Sequence, residues 1–160
     1  VEILRELNKN ENWRKILGVK DVNKHQTDVE LLLRLFALYN KLDKYEKPMK
    51  EFLNISMKEN QNGDTQAVKY FIDRFERATK IIIDKLGEKP FHLRTRLSSS
   101  TLDSVLINLM KNIDLIPHDF KSRYDSLIKT SRLETLTTIG TTDPTVLKER
   151  IQFVNESLFK

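Results

Sequence analysis

The sequence predicts an all-α fold: one irregular bundle of about eight helices spanning 1–160. Three observations carry this. Apolar residues recur at helical spacing along most of the chain. Gly18, Gly63, Gly87 and Gly140 each follow such a segment, where a helix favours a left-handed stop. Helix-start signals fall between them. The one departure is a short extended segment near 91–97.

The first helix is expected over about 1–9 and a short second one over about 11–17. Thr27-Asp28-Val29-Glu30 has the form of a capping box, in which hydroxyl and carboxylate satisfy free N–H groups reciprocally. It opens a helix over about 28–45 with an apolar stripe of Leu32, Leu35, Phe36, Tyr39 and Leu42. Leu31, Leu38 and Tyr45 widen that stripe, so this helix is expected to be central. Pro48 opens the next helix, over about 48–60. The longest runs over about 65–86. It buries Val68, Phe71, Phe75, Ala78, Ile82 and Leu86, and its outer face carries a charge ladder of Lys69, Asp73, Arg77, Lys80 and Asp84.

Shorter helices are expected over about 101–112, 117–130 and 131–138. Ser100-Thr101-Leu102-Asp103 and Ser131-Arg132-Leu133-Glu134 read as capping boxes for two of these, and Pro117 opens the third. Asp143-Pro144, an N-cap followed by proline at the first helical position, starts a last helix over about 144–159. Its stripe is Val146, Leu147, Ile151, Val154 and Leu158.

Several chemistries find no support in this pattern. Without cysteine there is neither a disulfide nor a thiolate ligand, and a reducing compartment suits the chain. No signal peptide or membrane-spanning run is visible, so the expected location is cytoplasmic. His25, His92 and His118 share no metal-ligand spacing, so no metal is expected. The serines at 98–100 lie near His92 but outside any nucleophile-elbow motif, and their expected role is to cap a helix. With no Walker or Gly-x-Gly-x-x-Gly motif, no nucleotide cofactor is expected.

What remains is basic surface. The net charge is +5, from 28 basic and 23 acidic residues, which permits a polyanionic partner. In "KPFHLRTRLSSST", residues 89–101, His92, Arg94 and Arg96 would share one face of an extended segment, with Phe91, Leu93 and Leu97 on the other. Two arginines at that spacing can grip adjacent phosphates, so these three residues are the candidate nucleic-acid contacts. The pairs Lys121/Arg123 and Lys148/Arg150 are weaker candidates. Trp13 or Tyr124, if exposed, could stack bases.

The block "VELLLRLFALYNKLDKYEKPMKEFLNISMKEN", Val29 to Asn60, resembles the middle of the bacterial ParB-like nuclease family, which includes the GmrSD-type restriction and phage-defence proteins. The matching positions include Glu30, Arg34, Phe36, Tyr45, Phe52, Asn54 and Met57. "LRELNKNENWRKILG" before it, Phe71 to Ala78 after it, and Thr142, Val146, Arg150 and Ile151 near the end resemble the family's flanking helices. The family's catalytic half carries an Asp-Gly-Gln-type motif, which this chain lacks. The resemblance therefore implies a non-enzymatic helical region, a fragment that follows an N-terminal catalytic domain. Its work would be to brace that domain and to offer basic surface to DNA. Glu30, Arg34, Tyr45 and Asn54 are then expected in packing and helix–helix polar contacts. The rival expectation is a self-contained helical module for protein partners.

Overall fold

Asn10, Thr65, Ser98, Thr130 and Asp143 each turn a side-chain oxygen onto a free N–H of the first helical turn, and these caps set where the chain begins to coil. The computed structural model describes all 160 residues. Nine α-helices follow in order: α1 Glu2–Leu7, α2 Glu11–Leu17, α3 Thr27–Lys41, α4 Met49–Glu59, α5 Gln66–Leu86, α6 Ser99–Lys111, α7 Phe120–Leu127, α8 Ser131–Thr138 and α9 Pro144–Phe159. A single 3-10 turn, Leu42–Lys44, ends α3. The structure is all-helical, and no helix is long and apolar enough to cross a membrane.

Two capping boxes shift and one dissolves. Thr130, not Ser131, caps α8, because Thr130 holds the extended backbone a cap needs (φ −77°, ψ 139°). Ser98, not Ser100, caps α6 by accepting the Thr101 N–H. Thr27 caps nothing, since α3 begins after a left-handed Gln26. Its neighbour Asp28 turns instead toward α2, where Arg14 Nη1 lies 2.8 Å from the carboxylate and the Asn23 N–H donates to it at 3.0 Å. Asp143-Pro144 starts α9 as expected.

Burial acts to raise the Asp28 carboxyl, but the Asn23 N–H and the Arg14 guanidinium outweigh it and hold the group below its ordinary value. A carboxyl depressed in the folded state adds stability above its unfolded value, and that stability is lost as pH falls through the folded value. Unfolding free energy should therefore decline as pH falls below about 4. Asp28→Asn should flatten that decline in urea titrations at about pH 7 and about pH 3. An unchanged pH slope would show that the Arg14–Asp28 contact is thermodynamically silent.

The central helix is α6 rather than α3. Every residue from Ser100 to Met110 is buried, because α3, α5 and α9 all pack against α6. A helix enclosed on all sides has no polar face to show, so its polar residues must find partners inside. Asn108 donates to the Ile151 carbonyl, and Asn112 donates to Asn155, both across to α9. The expected stripe of α5 is buried except for the half-buried Leu86, and its ladder is exposed, with Asp73–Arg77 and Lys80–Asp84 ion pairs. At the other side of the core, Trp13, Phe75, Phe71 and Phe36 form an aromatic chain whose successive ring centroids are 5.4, 5.6 and 5.4 Å apart.

Candidate nucleic-acid interface

The connection from α5 to α6 begins at Gly87, whose φ of +82° with ψ of −166° is open only to glycine. The chain is then pinned. Lys89 N–H donates to the Lys15 carbonyl, and Tyr124 Oη donates to the Pro90 carbonyl at 2.6 Å. Phe91 is fully buried, edge-on to Tyr124. Ser98 N–H then donates to the Phe91 carbonyl at 2.9 Å, which closes residues 92–97 into a loop with its ends tied.

That loop is a series of bends and not an extended strand. The expected single face of His92, Arg94 and Arg96 is accordingly broken. Arg94 and Arg96 stand exposed at the tip, while His92 is half-buried with its Nδ1 enclosed and without a partner. Trp13 and Tyr124 are buried and cannot stack on a base. Lys121 pairs with Asp125, Arg123 pairs with Asp119, and Arg150 is buried, which removes most of the two weaker basic pairs.

Arg94 and Arg96 line a groove of about 650 Å³ between this loop and the segment Ile128–Thr141. Lys129 adds a third cation and Glu134 the one carboxylate. Arg94 is ion-paired to Glu134, but with 79% and 61% of the two side chains exposed that pair is weak and exchangeable. Arg96 and Lys129 have no acid partner. The threonines on the far wall are already committed: Thr130, Thr137 and Thr138 donate to carbonyls of their own turns. The free donors come from the start of α6. There the Ser99 and Ser100 N–H groups precede the first intrahelical bond, as in any helix start. Ser100 is 6% exposed, and its hydroxyl has no partner in the chain and lines the groove. The positive end of the helix dipole thus meets two unpaired cations in one concavity, an arrangement suited to anionic oxygens.

The residues of the family-like pattern divide. Glu30 and Asn54 are exposed on α3 and α4 without polar partners, contrary to the packing role expected of them. Arg34 and Tyr45 do meet other helices. Arg34 Nη2 lies 2.6 Å from Asp103 Oδ2, but its N–H groups do not aim at that oxygen. Arg150 reaches the other oxygen, Oδ1, at 3.5 Å. Its remaining donors go to Ser104 Oγ and to the Leu136 and Thr141 carbonyls, and Tyr45 Oη donates to the Thr142 carbonyl. Burial pulls the Arg150 guanidinium below its ordinary value and raises the Tyr45 phenol, while Asp103 pushes Arg150 back up. Asp103, expected to serve a helix start, is instead the buried acceptor between two arginines. The sequence held one sign of this: Arg150 falls on the apolar stripe of α9, between Leu147 and Ile151.

No protein-family model, no curated protein and no solved structure matches this chain.

Proposed function

We propose that this chain is a non-catalytic helical domain of a longer cytoplasmic nuclease or NTPase of the restriction or phage-defence type. In this reading it braces the catalytic half and holds nucleic-acid backbone in the Arg94–Arg96–Lys129 groove. The observation that carries the DNA contact is the convergence of Arg96 and Lys129, neither with an acid partner, on the free N–H groups that open α6. The larger setting rests on the resemblance, and it gains support from Arg34 and Arg150 meeting on the buried Asp103 while Tyr45 donates to the Thr142 carbonyl. The absence of an Asp-Gly-Gln motif favours a supporting role over a catalytic one.

Salt titration of duplex DNA binding tests the groove. With two or three phosphates engaged, log affinity should fall against log salt with a slope of about −2 to −3. Arg94→Ala with Arg96→Ala should weaken binding to all sequences alike and reduce that slope by about 2. Both residues are exposed, so the unfolding midpoint should not move. Unchanged affinity in the double variant would leave the groove without a nucleic-acid role and favour a module for protein partners. DNA cleavage by the purified chain, abolished by one substitution within it, would refute the non-catalytic assignment.

A further inference from the structure

A second basic concavity lies at the other end of α6. With about 1.5 Å of rise per residue, the two ends of this 13-residue helix stand roughly 20 Å apart. Two adjoining hollows, of about 360 and 430 Å³, share Tyr39, Asn40 and Lys111 and form one open groove. Its walls come from four helices: Tyr39 from α3, Tyr70 and Arg74 from α5, Lys111 from α6 and Lys148 from α9.

Three features set this groove apart from ordinary charged surface. First, Arg74, Lys111 and Lys148 have no acid partner, whereas Arg77 and Lys80 on the neighbouring turns of α5 do. Second, Tyr70 is 50% exposed and carries the Arg74 guanidinium 4.8 Å from its ring centroid. Together they form a partly solvated cation–π pair. Third, desolvation holds the Lys111 ammonium below the ordinary lysine value, and Asp43, the one carboxylate lining the groove, only partly offsets this. The negative end of the α6 dipole accounts for a cation at that position. It does not account for cations from three helices gathered around an exposed ring.

Planar π-faces beside unpaired cations suit a base with its own phosphate. Tyr70 and Arg74 offer the stacking surface, and Lys111 and Lys148 offer charge to the adjoining phosphate. Asn40 donates its amide to the Phe36 carbonyl, which leaves its side-chain oxygen to accept from a base edge. A base must be unstacked to use such a platform, which excludes an intact duplex. We propose that this groove binds an unpaired base and its phosphate, and that the chain engages single-stranded nucleic acid here, independently of the Arg94–Arg96 groove.

Fluorescence anisotropy with a labelled mixed-sequence single-stranded DNA, and separately with a labelled duplex, tests this. Tyr70→Ala should weaken single-strand binding by about 5- to 150-fold, while Tyr70→Phe, which keeps the ring, should stay within about 2-fold of the parent. Lys111→Ala with Lys148→Ala should weaken it further and lower the salt slope by about 1.4. Duplex affinity should stay unchanged in all three, and Arg94→Ala with Arg96→Ala should show the reverse pattern. Absent single-strand binding by the parent chain, equal affinity of Tyr70→Ala and parent, or parallel loss of both DNA forms would each overturn the assignment. A circular-dichroism melt confirms that each variant is folded, as expected for exposed positions.

Discussion

Asp103→Ala should destabilise the protein by about 3–5 kcal/mol, the typical cost of leaving a buried charge without its partner. The carboxylate is 1% exposed and stands between Arg34 and Arg150, so its removal leaves two guanidinium groups facing each other in the core. Asp103→Asn should cost less than Ala, because it keeps the shape and one acceptor oxygen for Arg150. Urea unfolding followed by circular dichroism measures both. A third variant separates charge from packing: replacing Asp103, Arg34 and Arg150 together by apolar residues of similar size should recover much of the loss. If Asp103→Ala unfolds at the same urea concentration as the parent, the network contributes nothing to stability.

Phe75→Ala should cost about 3–5 kcal/mol for a different reason, the loss of buried apolar surface and the cavity left behind. Phe75 is fully buried, edge-on to Trp13 at 5.4 Å and stacked on Phe71 at 5.6 Å, so it joins α2 to the middle of α5. Helix α2 is only seven residues long and depends on that contact for its helicity. The same truncation should therefore lower amide protection throughout α2 in hydrogen exchange, beyond the fall in global stability. Phe75→Leu should retain most of both. Undiminished protection in α2 would mean that the Arg14–Asp28 contact, not the aromatic chain, holds this helix in place.

The fold was readable because its rules are local. Helical periodicity, the left-handed cap Gly18 and Asp143-Pro144 act within a few residues, and all nine helices fall close to where the sequence places them, although α4 and α8 end on Asn60 and Ile139, before Gly63 and Gly140, and Gly87 ends α5 in a conformation other than the left-handed helical one. Two caps moved by one or two residues because several hydroxyls compete at each start, and backbone geometry decides among them. The centrality of α6 was not readable. Its apolar stripe is narrow, and only the arrival of α3, α5 and α9 makes Asp103, Ser104 and Asn108 interior. Arg94 and Arg96 were visible as a local pattern, whereas their opposite wall, from Ile128 onward, comes from a later helix. Tyr70, Lys111 and Lys148 are separated by 41 and 37 positions, and no local pattern links them.

The polar rungs between α6 and α9 have a mechanical consequence. Two apolar helix faces can slip past each other by one turn, about 5.4 Å, at little cost, since hydrophobic contact has no preferred direction. Ser104 with Arg150, Asn108 with the Ile151 carbonyl, and Asn112 with Asn155 recur at one-turn steps along α6. A slip would set Ser104 and Asn112 against the wrong mates and strand the buried Arg150 donor, whereas Asn108 would meet another backbone carbonyl. The helix pair is therefore locked like a toothed rule. The span between the grooves at its two ends becomes a fixed gauge, held by two side-chain pairings as well as by the fit of the surrounding core.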